Sequence, residues 1–167
     1  NVSIKSGTKG IANEAFGDCD NMTQIVIPNT VTTIGEDAFA FCKGLTTVEI
    51  PASVTSIGAF AFTNCTRLTS INIPDSVKND YLFNNCNSIE SIIIPNSVIS
   101  IGDSAFCGCS GITKLTIPFS AKLHSNSFDD CTNIEKIVLT KGNGTVLDYQ
   151  YKDYYDAYYY DTPWYIS

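Results

Sequence analysis

Six phenylalanines, Phe16, Phe39, Phe62, Phe83, Phe106 and Phe128, recur at separations of 23, 23, 21, 23 and 22 residues, and the rest of the chain keeps their beat. Cys19, Cys42, Cys65, Cys86, Cys109 and Cys131 follow them, then Met22, Leu45, Leu68, Ile89, Ile112 and Ile134. Next come the apolar pairs Ile25/Ile27, Val48/Ile50, Ile71/Ile73, Ile92/Ile94, Leu115/Ile117 and Ile137/Leu139, closed in five units by Pro28, Pro51, Pro74, Pro95 and Pro118. The unit reads F-x-x-C-x-x-L-x-x-I-x-I-P-x-S-V. A period in the low twenties is that of a solenoid, in which each unit is one coil stacked on the next.

The I-x-I segment alternates with period two, so it is a short strand with one buried face. One strand cannot bury that face alone. Coils stacked about 4.8 Å apart let successive strands pair in parallel and join their Ile, Leu and Phe side chains into one core. Proline has no N–H to give a ladder and a fixed φ, so it ends each strand at the same corner. Four residues before each repeat phenylalanine stand Gly35, Gly58, Asn79, Gly102 and His124, residue types that tolerate positive φ. A left-handed turn residue is expected there, with Ala12 the exception.

Six cysteines on this beat raise the question of a disulfide scaffold or a metal site. One coil apart, their Cα atoms stand about 4.8 Å from each other with Cβ vectors parallel, whereas a disulfide needs Cβ atoms about 3.8 Å apart. Cys107 and Cys109 are too close in sequence for a zinc pair. The reading is a ladder of buried thiols acting as small hydrophobes, with Cys107 outside it and most open to reaction. His124 lies at the turn position with no Ser/Asp or Cys partner in a visible motif, so no catalytic, metal or cofactor site is expected.

The stretch from Ala38-Phe39 to Ile57-Gly58, with its A-F-x-x-C and P-x-S-V-x-x-I-G signatures, resembles the BspA-like leucine-rich repeat, and the resemblance covers residues 11–139. The expected fold is an α/β-type solenoid. It is a right-handed superhelix with a parallel β-sheet on one face and short turns or 3-10 segments on the other, mostly β and coil. Residues 1–140 form six coils of about 23 residues, starting mid-repeat, and 141–167 form a Tyr-rich irregular C-terminal coil or cap. The cap reading folds Trp164 and Tyr165 back on the final strand. Two units depart from the pattern: the fourth enters two residues short through Val77-Lys78-Asn79-Asp80, and the sixth ends with Thr140 instead of proline. The resemblance implies cell-surface or secreted proteins used in adhesion to host matrix proteins and to other cells. It brings no catalytic residues, and the chain is not expected to be an enzyme.

If Ile25 and Ile27 point inward, their neighbours line the outer face of the sheet. One outward row is Gln24, Thr47, Ser70, Ser91, Lys114 and Lys136; the other is Val26, Glu49, Asn72, Ile93, Thr116 and Val138. Solenoid sheets commonly serve as extended binding surfaces, so these residues, with Phe119 beside them, are the candidate ligand-binding set. Isolated exposed apolar residues are ordinary, and Thr or Val simply suit strands, so the competing reading is a bare structural face.

The net charge of −7 argues against a nucleic-acid partner. No apolar run approaches the roughly 20 residues of a membrane helix. Solubility leans on Ser, Thr and Asn, since only 16% of residues are charged, a habit of secreted proteins. The expected role is thus an extracellular or cell-surface adhesion module, part of a larger protein. Its expected partner is a host matrix or cell-surface protein, with a glycan as second choice. The alternative is a stalk that presents other domains, favoured by the uniform Ser and Thr of the outward rows in repeats two and three. The open edge at Val2–Ile4 leads to a monomer or to weak end-to-end association.

Overall fold

The computed structural model describes residues 1–73, 80–124 and 126–140 in full, and 146–150 as backbone. The strands run β1 (Val2–Ser3), β2 (Gly10–Ile11), β3 (Gln24–Val26), β4 (Thr33–Ile34), β5 (Thr47–Val48), β6 (Ser56–Ile57), β7 (Ser70–Ile71), β8 (Ser91–Ile93), β9 (Ser100–Ile101), β10 (Lys114–Pro118), β11 (Lys122–Leu123), β12 (Lys136–Thr140) and β13 (Val146–Gln150). The described residues contain no helix.

Each coil stacks on the next through three ladders. The first is the expected parallel sheet, with Ile25, Val48 and Ile71 in register across β3, β5 and β7, and Ile92, Leu115 and Ile137 across β8, β10 and β12. Its inward residues are buried and its outward ones exposed along β3 and β8, as alternation requires. The second ladder joins β2, β4 and β6, and further on β9 and β11, through Ile11, Ile34 and Ile57, then Ile101 and Leu123. These two-residue strands are too short for alternation to mark them in the sequence.

The third ladder is the phenylalanine wall. Each ring stacks on the next at centroid distances from 5.1 to 5.6 Å, with planes within 18° of parallel. The main chain is tied along the same line: Phe16 donates its N–H to Ala38 O, Phe39 to Ala61 O, Phe62 to Leu82 O, Phe83 to Ala105 O and Phe106 to Ser127 O, at 2.8 to 3.0 Å. Offset-stacked aromatic pairs add about 0.5–1.5 kcal/mol each beyond their burial.

The left-handed residues are not those expected. Gly35, Gly58 and Gly102 do not have positive φ. Instead Glu14, Asp37, Phe60, Tyr81 and Ser104, two before the phenylalanine, and Asp18, Phe41, Asn64, Asn85 and Asp130, two after it, take φ of 51 to 59°. These residues bracket the turn and direct their amides at the next coil: Glu14 N–H meets Glu36 O and Asp18 N–H meets Ala40 O, both at 2.9 Å. The large side chains Phe41, Phe60 and Tyr81 hold this conformation at a cost of roughly 1–2 kcal/mol each. A second ring stack, Phe60 on Tyr81 at 4.8 Å, offsets part of it.

Glycine stands four residues before the phenylalanine for a different reason. A Cβ on Gly35 would lie 2.5 Å from Asn13 N, and one on Gly58 2.3 Å from Glu36 N. The coils meet there backbone to backbone. Ala12 fits because its methyl lies on the face of the first coil, which no described residue covers. His124 fits because its coil stands further off: its N–H reaches Ile101 O at 3.4 Å, against 2.9 Å for Gly35 to Ile11 O and 2.8 Å for Gly58 to Ile34 O. Asn79 lies outside the described residues.

The first sheet is interrupted after the third unit: among the described residues β7 and β8 belong to different sheets. The repeat position between β6 and β9, with the short entry of the fourth unit, falls on 74–79, outside the described residues. The phenylalanine wall runs through the junction unbroken. At the far end β13 pairs antiparallel with β12, Ile137 facing Tyr149 and Leu139 facing Leu147 in register. The rest of the Tyr-rich stretch, with Trp164 and Tyr165, lies outside the described residues.

Candidate binding face

The two outward rows are placed in register along the strands. Ser91, Lys114 and Lys136 align, as do Ile93, Thr116 and Val138, and Gln24, Thr47 and Ser70 align in the first sheet. Gln24, Val26, Thr47, Glu49, Ser70, Asn72, Ser91, Ile93 and Lys114 are exposed; Thr116, Lys136 and Val138 are half-buried. The last two sit on β12, which β13 flanks. Ile93 is 69% exposed and Val26 61% exposed, while Phe119 is 40% exposed. The rows are therefore not one uninterrupted surface: the break between β7 and β8 separates Gln24, Thr47 and Ser70 from Ser91, Lys114 and Lys136.

Not every outward side chain is idle. Asn72 turns its amide back to Ile50, accepting from Ile50 N–H at 2.8 Å and donating to Ile50 O at 2.7 Å. Its surface role is therefore shared with closing the edge of the first sheet. Ile99, 62% exposed just before β9, is a large apolar surface residue that the alternation of the first ladder did not reveal.

The thiol ladder is more than small apolar filling. Cys42 Sγ donates to Phe16 O, Cys65 to Phe39 O, Cys86 to Phe62 O, Cys109 to Phe83 O and Cys131 to Phe106 O, at 3.0 to 3.2 Å. Each thiol is thus a second donor to the phenylalanine carbonyl of the preceding coil, which also accepts the backbone N–H of the cysteine three residues on, Cys19 to Phe16 O at 3.4 Å and Cys86 to Phe83 O at 3.2 Å. One such bond contributes about 0.5–1.5 kcal/mol. Burial pushes Cys42 and Cys131 up to about 12 and raises Cys86 and Cys109 well above the ordinary thiol range, so these groups keep the proton they donate. All seven cysteines are free. Cys107 is half-buried, as Cys19 is, and burial first and then the Asp130 and Asp129 carboxylates raise it too, which works against the reactive thiolate.

Among the described residues no group of three or more His, Cys, Asp or Glu is placed to hold a metal, and no helix is long and apolar enough to cross a membrane. His124 is exposed, away from both outward rows in the chain. The face offers apolar side chains, hydroxyls and Lys114, which suits recognition by contact rather than bond-making chemistry.

The family model for the BspA type leucine rich repeat region matches residues 1–80 and 79–158, with six copies. Comparison with curated proteins yields no match. Among solved structures the chain is similar to the leucine-rich repeat protein of T. pallidum, at 30% identity and a TM-score of 0.73, covering 80% of this chain and 64% of that one. It is also similar to a leucine-rich repeat protein from Eubacterium ventriosum, at 26% identity, TM-score 0.72, and 83% and 41% coverage. A third, from Bacteroides ovatus, shows 28% identity, TM-score 0.63, and 81% and 44% coverage. The chain spans between 41% and 64% of the length of these three proteins.

Proposed function

Because the chain belongs to the BspA-type leucine-rich repeat family, a generic protein-interaction scaffold, we propose that it is a non-enzymatic adhesion module of a larger extracellular or cell-surface protein. Its sheet face binds a host matrix or cell-surface protein. The observation that carries this reading is the exposure of Ile93 beside Ser91 and Lys114: a large apolar side chain, 69% open to solvent and the most exposed one among the described residues, next to a cation on the same face. Lys114 supplies a cation in an otherwise acidic chain, which favours an acidic partner surface.

The test is binding of the immobilised chain to a panel of matrix proteins and mucin glycans, beside a variant with Ile93, Lys114 and Lys136 all changed to Glu. Binding that the variant loses places the site on the sheet. Binding that the variant keeps moves the site elsewhere, and no binding across the panel favours a stalk.

A further inference from the structure

The junction between the third and fourth coils leaves strand edges that a regular solenoid would cover. Ile94 donates its N–H to Thr116 O at 2.8 Å, so it faces β10. Alternation along the strand then directs the main-chain groups of Ser91 and Ile93 the other way, towards the break. Among the described residues no strand pairs with that edge of β8. On the opposite side, Ile50 bonds to the side chain of Asn72 rather than to its backbone, so an amide group stands in for a strand residue where the first sheet ends. Ile71 is only half-buried there, while its register partners Ile25 and Val48 are buried. The coils stay joined on the wall side by the Phe62–Phe83 and Phe60–Tyr81 stacks, at 5.6 and 4.8 Å.

A strand edge with free N–H and C=O groups at every second residue complements one thing well, which is another extended backbone. Sugar hydroxyls have no such alternation. The open edge of β1 is shorter, and Ile93, the most exposed large apolar residue described, stands on β8.

We propose that β8 is the docking strand of the binding face: an extended polypeptide segment of the partner pairs with Ser91–Ile93 through its main chain and lays an apolar side chain against Ile93. This rests on the sheet-face reading above and narrows its partner to a protein, removing the glycan. Main-chain pairing supplies the affinity and Ile93 the selectivity.

The probe is a blocked peptide copying residues 44–53, the chain's own regular strand, beside the same peptide N-methylated at alternate residues so that it cannot pair. By amide hydrogen exchange on the whole chain, Ser91 and Ile93 exchange at least about tenfold faster than Ile92 and Ile94, and millimolar plain peptide slows them. The methylated peptide leaves them unchanged. Two variants separate backbone from side chain: Ile93→Thr and Ile93→Pro both lose the apolar group, but only the proline loses the N–H. An edge N–H that faces no ladder partner is a position where proline is tolerated. Loss of one hydrogen bond makes the peptide bind Ile93→Pro about tenfold more weakly than Ile93→Thr. Equal protection by the methylated peptide, or equal binding by the two variants, overturns the docking strand. Panel binding that survives Ile93→Pro but is lost in the triple Glu variant also overturns it, while leaving the sheet-face reading intact. Panel binding indifferent to the triple variant, which carries Ile93→Glu, overturns both the docking strand and the sheet-face reading, whatever the peptide does at β8.

Discussion

Gly58→Ala separates two reasons for a glycine. The added Cβ would stand 2.3 Å from Glu36 N, 2.6 Å from Glu36 Cα and 2.6 Å from Gly35 C, all main chain of the preceding coil. Ordinary carbon contacts begin near 3.5 Å, so the two coils must part by about 1 Å. That stretches the 2.8 Å bond from Gly58 N–H to Ile34 O and strains the Ile34–Ile57 register beside it. Overpacking commonly costs about 1–3 kcal/mol, and with rigid main chain as the obstacle we expect about 3 kcal/mol. For a chain of this size that lowers Tm by roughly 6–12 °C. Gly58→Asn is the discriminating control. If the site needed positive φ, asparagine would serve at little cost; if the coils touch, it costs as much as alanine. Gly7→Ala is the converse, because Gly7 has φ +94° with no heavy atom within 4 Å of the added Cβ. Its cost is conformational alone, about 1–2 kcal/mol. Urea unfolding followed by circular dichroism measures all three. A Gly58→Asn cost under about 1 kcal/mol refutes the close-contact account.

Two further outcomes follow from the same geometry. Phe62→Ala removes a fully buried ring stacked on both sides and costs about 3–5 kcal/mol, while Phe16→Ala, half-buried with one described stack, costs less; urea midpoints rank them. The ladder thiols make stability fall at high pH. The folded value for Cys42 is raised from 9.0 to about 12, so its contribution is complete below pH 9 and is lost as pH rises towards 12. Cys42→Ala lowers stability at pH 7 but flattens its fall between pH 9 and 11, as read from urea midpoints against the parent chain; parallel slopes would refute the assignment.

The repeat, the parallel first ladder, its inward residues and its outward rows were legible in the amino-acid pattern, because a period near 23 and a period of two inside it leave few ways to bury Ile and Phe. The positions where local pattern and structure disagree share a cause. Gly58 looked like a turn residue since glycine's φ freedom is a local property, whereas the contact with Glu36 exists only between coils. The cysteines looked like apolar filling, since nothing local shows that a thiol at one coil faces the Phe carbonyl of the coil before. The left-handed positions fell on Phe60 and Tyr81, which local preference disfavours and inter-coil stacking permits. The two residues missing from the fourth unit were visible in the sequence, but a deficit of contour does not say which ladder must yield. Packing between coils settled that: the phenylalanine wall, where ring stacking, amide and thiol bonds act together, runs on, and the first sheet parts between β7 and β8, where short strands hold each other by few bonds.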